Sequence, residues 1–300
     1  MYRITQRSMA QTSLLGLNTN LAAVQKLQQQ LTSGKMISRP SDDPTGTNTS
    51  MLTRQTMAGV DQQARNITDG KTFLDATDSA LQNMLAQVRR VRDLAVQALN
   101  NGAQDASSQQ AIATEVNGVR QSLISAANQV VQGRPIFGGV TSGSVAYDNT
   151  GAWKGMLGPG NTPVPMTRQV SDVEAIRVDV TGPEAFGDPT SGKDLFAVTQ
   201  NIANDVANPT ALSTDLSDLD NVINGMLKAE ADVGTRSARL DTAATVNSTA
   251  SLNLQSKLSS TENVDLPKTI MNLQMQQVGY QAALQVTAQS LQPTLLDFLK

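Results

Sequence analysis

The sequence lacks two residue types on which much protein chemistry depends. Its 300 residues include no cysteine and no histidine. Disulfide bonds, thiol catalysis, zinc sites built on Cys or His, and Ser-His-Asp or Cys-His catalytic groups are therefore excluded. The helix patterns bring no convergent set of titratable groups together, so we expect no enzyme activity, no catalytic residue, no cofactor and no metal site.

Charged and aromatic residues are also scarce. Only 16% of the residues are charged and 3% are aromatic, whereas a typical globular protein is roughly 25% charged. A surface with little charge and many Gln, Asn, Ser and Thr side chains suits a protein that lies against other protein. The alternative interpretation is a polar-rich bacterial protein with no such role.

Long apolar runs are absent as well. The longest runs span only a few residues, so we expect no membrane-spanning segment. Residues 1–6 have no apolar core of the kind found in a cleaved secretory signal. We therefore expect neither membrane association nor a cleaved leader.

The charge that is present is unevenly distributed. Residues 1–41 contain five basic side chains and no acidic one, so this stretch carries +5. With a net charge of −3 for the whole chain, the remainder carries −8. A basic, acid-free start also occurs in organellar transit peptides, but the apolar seam that runs to Leu31 and the many Gln residues argue against removal of this stretch. Five scattered cations in a chain with a pI near 5.0 form no basic patch, so we expect no nucleic-acid binding.

Both chain ends carry a heptad pattern, in which apolar residues recur in steps of three and four. A seam so narrow requires a second helix to cover it, and the seam at the other chain end steps in the same way. We therefore predict that the terminal helices pair and form an assembly interface, whose apolar residues are Leu14, Leu17, Leu21, Val24, Leu31, Ile270, Leu273, Tyr280, Leu284, Leu291 and Phe298.

A fixed turn separates the first helix from the second. Gly34 is a typical C-terminal stop, and two prolines flank the pair Asp42 and Asp43. Either aspartate is able to cap the next helix, with Pro44 in its first turn. Paired carboxylates also occur in metal and acid–base sites, but helix capping is the far commoner use of such a pair.

Four further helices are predicted in the middle of the chain. The apolar ladder of residues 62–100 predicts a rod nearly forty residues long, and a shorter helix follows with its inner face running from Ile112 to Val130. Another rod of about fifty residues begins near Leu212 and should break near Pro267, because proline does not fit a helix interior. A short helix near Leu195 precedes it.

Between these helices the composition changes. Residues 138–192 are dense in Gly, Pro, Asp and Thr, and residues 176–180 alternate with the period of a strand. The predicted fold is therefore mainly α: an elongated antiparallel helical bundle and coiled coil formed by both chain termini, with a small β-rich insertion. The predicted domains are 1–40 with 262–300, 41–138 with 193–261, and 139–192.

These features resemble the bacterial flagellin superfamily. At the N-terminal end the resemblance lies in residues 31–35 (LTSGK) and 40–44 (PSDDP), and at the C-terminal end in residues 259–266 (SSTENVDL). Residues 233–240 (VGTRSARL) are similar to a further stretch of the family. Both ends match in the expected order, over roughly two hundred and fifty residues by pattern.

Within the superfamily the sequence resembles the hook–filament junction proteins more than the flagellins. It opens with YRIT at residues 2–5, prolines flank the aspartate pair, and residues 134–139 (RPIFGG) are similar to a junction-protein stretch. Pro135 and Gly138 depart from that stretch. Residues 295–299 (LLDFL) also suit this branch, and flagellin itself is the alternative.

The resemblance implies a structural role at the hook–filament junction of an extracellular flagellum. Implied partners are other copies in a ring of about eleven, hook-associated protein 1, flagellin, the filament cap, a cytoplasmic export chaperone and the type III export apparatus. We also expect the chain ends to be largely unfolded in the free monomer, because isolated helices of this length are marginal. A soluble helical binding module with folded termini is the competing class.

Overall fold

The computed structural model describes residues 6–100, 105–141, 143–159 and 162–290, and these are mainly helical, as predicted. The helices are α1 (Gln6–Ser33), α2 (Pro44–Asn100), α3 (Ala106–Ala127), α4 (Gly182–Phe186), α5 (Leu195–Asp205), α6 (Pro209–Glu262) and α7 (Leu266–Ser290). The strands are short: β1 (Val130–Val131), β2 (Arg134–Pro135), β3 (Thr167–Gln169) and β4 (Ala175–Arg177).

The long ladders of the sequence correspond to α2 and α6. Ile67, Leu74, Leu81 and Val88 of α2 are buried at seven-residue intervals, which is the spacing of one face of a helix. The predicted break before the tail is confirmed, since α6 ends at Glu262 and α7 starts at Leu266.

The chain divides into two compact units. The first contains residues 1–59 and 251–300, and the second contains residues 60–250. Each unit contains part of α2 and part of α6. The three-domain division made from the sequence stays a prediction, and each unit is described by itself.

The second unit gathers the few aromatic residues into its core. Phe137, Tyr147, Phe186 and Phe196 are each at most 2% exposed. The ring centroids of Phe137 and Phe186 lie 4.7 Å apart, as do those of Tyr147 and Phe196. Such pairs contribute about 0.5–1.5 kcal/mol beyond their buried area. Residues 139–192 therefore share one core with α2, α3, α5 and α6.

The β structure is smaller than the sequence predicts. Strands β1 and β2 pair antiparallel, and β3 pairs antiparallel with β4 with Arg168 opposite Ile176. Val178 and Val180 are buried, but they follow β4 and are not part of a strand. The period-two alternation here marks an extended chain that packs on the core.

The sequence prediction that Val130 belongs to the inner face of α3 was wrong. Val130 lies in β1 and is 47% exposed. The reason is Asn128 at the helix end. Its Oδ1 accepts hydrogen bonds from the backbone N–H groups of Ala146 and Tyr147, both at 2.8 Å. These bonds bind the end of α3 to the following loop, and the chain leaves the helix before Val130.

Candidate assembly interface

The first unit brings the two chain ends together, since α1 packs along α7. The backbones of Lys35 and Asn263 form an antiparallel bridge. Further along the pair, Gln276 Nε2 donates to Asn20 Oδ1 at 3.1 Å. Residue numbers rise on one helix as they fall on the other, so α1 and α7 are antiparallel neighbours, and the predicted pairing of the terminal helices is confirmed.

Only part of each predicted seam lies between the helices. Val24 is 8% exposed, and four further seam residues are half-buried: Leu17, Leu31, Leu273 and Tyr280. The other seam residues with described surroundings are exposed, namely Leu14 (56%), Leu21 (38%), Ile270 (47%) and Leu284 (42%). Leu291 and Phe298 lie outside the described residues.

The face between the helices coincides with the predicted seam at every second position and is offset from it by one residue at the others. Less exposed positions on α7 recur at Thr269, Leu273, Gln276, Tyr280, Ala283 and Thr287, and on α1 at Ser13, Leu17, Asn20, Val24, Leu27 and Leu31. The steps of three and four are as predicted, but half of these positions are polar or small. The apolar stripe of each helix is therefore wider than the face that its partner covers.

A second apolar stripe on α7 was missed in the sequence. Met271, Met275, Val278 and Val286 are between 58% and 66% exposed. At 100° per residue they lie on the side of α7 that faces away from Leu273 and Tyr280. We call these four residues the outer stripe. A tail that is apolar on all sides, with no charged residue between Lys268 and Asp297, was the signal that could have revealed it.

A charged cluster around Glu262 holds the end of α6 against α2 and against the segment that follows α1. Glu262 accepts hydrogen bonds from Arg54 Nη2 at 2.8 Å and from Lys35 Nζ at 3.1 Å. Lys35 Nζ also donates to Asn263 Oδ1 at 2.9 Å. We call Gly34, Lys35, Arg54, Glu262 and Asn263 the helix joint.

The backbone reinforces this helix joint. Met36 N donates to Glu262 O at 2.6 Å, and Val264 N donates to Gly34 O at 3.1 Å. Gly34 has a φ of +67°, which glycine adopts without steric cost, and this explains the predicted stop of α1. Burial alone would raise the pKa of Glu262, but the hydrogen bonds from Arg54 and Lys35 outweigh it and lower that pKa.

The two aspartates of the turn have different partners. Asp43 Oδ1 accepts from Gly46 N at 2.9 Å, at the start of α2, which begins at Pro44. Asp42 accepts from the backbone N–H of Arg39 at 3.0 Å and pairs with Lys26 at 3.1 Å. The hydrogen bond from Lys26, followed by that from Arg39, lowers the pKa of Asp42. Both carboxylates therefore serve the turn and the helix start.

No group of three or more Asp or Glu side chains in the described ranges is placed to hold a metal ion. None of the helices there is long and apolar enough to cross a membrane.

Comparison with known proteins identifies the family. Residues 4–141 match the bacterial flagellin N-terminal helical region, and residues 216–299 match the bacterial flagellin C-terminal helical region. The chain is 25% identical to flagellar hook-associated protein 3 of Salmonella typhimurium, over 94% of each chain. It is 26% identical to flagellin of Bacillus subtilis, over 96% of each chain.

A solved structure shares the fold. The crystal structure of Bacillus cereus FlgL superposes with a TM-score of 0.57 at 22% identity, covering 69% of this chain and 99% of that one. The chain therefore belongs to the bacterial flagellin superfamily, whose N-terminal and C-terminal helical regions it contains.

Proposed function

We propose that this protein is the extracellular junction between the flagellar hook and the flagellin filament. It would contact hook-associated protein 1 on one side and flagellin or the filament cap on the other. The length-wide similarity to hook-associated protein 3 supports this role. The task is mechanical, and the interface residues act through packing.

One observation supports assembly most directly: the apolar surface of α7 that α1 leaves uncovered. Seven large apolar side chains on this helix are between 42% and 66% exposed, namely Leu266, Ile270, Met271, Met275, Val278, Leu284 and Val286. Burying their exposed parts against other subunits would contribute roughly 6–12 kcal/mol before the costs of association. A monomeric protein has little reason to expose so much of one helix.

The same surface explains the partners that we propose. Copies of this chain would form a ring of about eleven through α1 and α7, and neighbours with similar terminal helices would continue the same packing above and below. Export before assembly would require a type III apparatus, with a cytoplasmic chaperone covering the apolar tail. The predicted interface residues, including Leu291 and Phe298, belong to this proposal.

Deleting the gene tests the junction role. We expect hooks without filaments, flagellin released into the medium and loss of swimming, all restored by the wild-type gene. Normal filaments on the deletion strain would contradict the proposal.

Substitutions test the apolar surface of α7 that supports the junction role. Val278→Gln in the outer stripe should fold as wild type but fail to restore filaments. Val173→Gln is the matched control, because Val173 is 97% exposed in a loop and should restore filaments fully. Equal rescue by both variants would show that the outer stripe is not an interface.

Flagellin is the alternative role, favoured by the similarity to the Bacillus subtilis protein. The two roles separate by self-assembly of purified protein. A flagellin extends seeds into long filaments, whereas a junction protein should stop at a short layer. Long filaments of this chain alone would favour the alternative.

A further inference from the structure

A pocket of about 300 Å³ lies beside the start of α2, within the first unit. Its walls come from the segment that follows α1, from the first turns of α2 and from the end of α6. We call it the α2 pocket, and it is lined by Lys35, Ile37, Ser38, Arg39, Pro40, Thr47, Ser50, Met51, Arg54 and Glu262.

The charges of the α2 pocket favour an anion. Three lining side chains are cationic and one, Glu262, is anionic, so the lining carries +2. Arg54 binds Glu262 through Nε and Nη2, which leaves its Nη1 for another acceptor. Arg39 has no ion pair with any described residue. The positive end of the α2 dipole adds to this field.

The acidic residues of the adjoining turn do not occupy the pocket. The carboxylates of Asp42 and Asp43 accept backbone N–H groups of the turn and of α2, and neither residue is part of the lining. Lys26 matches the charge of Asp42. The excess positive charge of the lining is therefore available to a ligand.

Two hydroxyl groups in the pocket wall lack partners. Thr47 Oγ1 and Ser50 Oγ are buried and form no hydrogen bond with any described residue, and Ser50 is only 5% exposed. Neighbouring hydroxyls behave differently, since Thr49 and Thr53 donate to the carbonyl oxygen four residues earlier, at 3.0 and 2.8 Å. A buried unpaired hydroxyl is costly, so an acceptor in the pocket would be favoured.

The remaining wall selects among anions. Ile37, Pro40 and the 66% exposed Met51 offer apolar contact, which suits the methylene groups of an acidic side chain. Glu262 inside the lining repels a second negative charge, so a singly charged carboxylate is preferred over a doubly charged phosphate.

We propose that the α2 pocket binds a side-chain carboxylate, from Asp or Glu, of a second copy of this chain. The inference that a second copy supplies this carboxylate rests on the proposed assembly. It is supported by charge complementarity, because residues 1–41 contain no acid while the rest of the chain carries −8. The pocket thus adds a specific polar contact to apolar packing that would otherwise tolerate sliding.

Acetate tests the pocket in the isolated full-length protein. With the methionine methyl groups labelled, the Met51 resonance should shift and saturate with acetate but not with chloride at equal ionic strength. Met36 does not line the pocket, so its resonance should not follow. A Met51 resonance that responds equally to both salts, or to neither, would overturn the carboxylate site.

Variants identify the groups that bind. Arg39→Gln should raise the half-saturating acetate concentration about tenfold, and Ser50→Ala at least about threefold. Arg89→Gln is the matched control, because Arg89 does not line the pocket, and it should bind acetate as wild type. Unchanged binding in Arg39→Gln would contradict the assignment.

Zero-length carbodiimide crosslinking tests the source. Arg39→Lys keeps the charge and places an amine in the pocket, so isolated flagella should yield an amide bond between that amine and an Asp or Glu of a neighbouring copy. The Lys35–Glu262 pair, at 3.1 Å, should crosslink within one chain and serves as an internal control.

The outcomes separate the two proposals. Crosslinks from the introduced amine that reach only Glu262, or only another protein, would overturn a second copy as the source. A protein that binds acetate but is absent from flagella would refute the proposed function and the source, while the carboxylate site would stand.

Discussion

Replacing Glu262 by glutamine should loosen the helix joint and, with it, the pairing of α1 and α7. Glu262 is the common acceptor for Arg54 and Lys35, and its side chain is only 9% exposed. Glutamine keeps one acceptor oxygen but turns an amide group toward a guanidinium or an ammonium group. At least one cation then loses its partner.

The size of the effect follows from the contacts that are lost. Arg54 donates three hydrogen bonds to the carboxylate, at 2.8, 2.9 and 3.1 Å, and Lys35 donates one at 3.1 Å. Hydrogen bonds to charged groups contribute about 1.5–3 kcal/mol each when fully shielded. The Lys35 and Arg54 side chains are 43% and 60% exposed, so solvent weakens the cluster. We expect a total loss of about 2 kcal/mol.

Amide hydrogen exchange measures this loss at the place where it arises. The N–H groups of Met36 and Val264 close the helix joint and should exchange about thirtyfold faster in Glu262→Gln at pH 7. Glu174→Gln is the control, because its pair with Arg239 is about half exposed on both sides. That variant should change stability by less than about 0.5 kcal/mol.

The pH dependence provides a second check. Because the folded-state pKa of Glu262 is lowered, its contribution is fully present above the ordinary value of about 4.3 and is lost as the pH falls through the lower folded value. Wild type and Glu262→Gln should therefore converge in acid. Equal exchange at pH 7, or a difference that does not shrink as the pH falls below about 4.3, would refute this account of the helix joint.

Further substitutions test the turn, the second unit and the terminal helices. Asp43→Ala removes the hydrogen bond to Gly46 N and should cost about 1 kcal/mol, measured by denaturant unfolding, whereas Asp43→Asn should cost little. Burial and then neighbouring carboxylates raise the pKa of Asp215 to about 6, so its ionisation destabilises the fold as the pH rises from about 4 to 6. Asp215→Asn should therefore raise the thermal midpoint at pH 7 and leave it unchanged below pH 4, and a lower midpoint at pH 7 would contradict the assignment. Leu17→Ala should weaken the pairing of α1 with α7 by about 1–2 kcal/mol in the assembled protein, measured by amide exchange, whereas Leu14→Ala, at a position 56% exposed, should leave that pairing within about 0.5 kcal/mol and impair only assembly.

The helices could be predicted because their signals are local. The ladder from Ile67 to Val88 and the proline at 267 depend only on the spacing along the chain. The β structure was less predictable, because alternation at residues 176–180 marks an extended chain but not a partner strand. Burial of Val178 and Val180 depends on a core formed by distant helices.

The candidate interface was predictable in place but not in register. The sequence correctly paired the two chain ends, yet Leu14, Leu21, Ile270 and Leu284 face solvent in the single chain. A stripe of apolar residues reveals the period of a helix, but its width does not reveal which edge a given partner covers. The contact between Asn20 and Gln276 lies in the covered face, and a contact between two polar residues is not visible in an apolar pattern.

The spacing of apolar residues alone does not reveal how many neighbours a helix packs against. A heptad seam implies one neighbour, whereas α7 presents Leu273 and Tyr280 to α1 and Met275 and Val278 to solvent. A helix with two apolar sides gains full stability only when both are covered. In the proposed assembly, the pairing with α1 would be the first of several packing steps, and the polar residues of the seam would keep it weak enough to form after export. If so, α7 in the free protein should exchange its amides far faster than the buried part of α2, and assembly should slow that exchange most at the outer stripe.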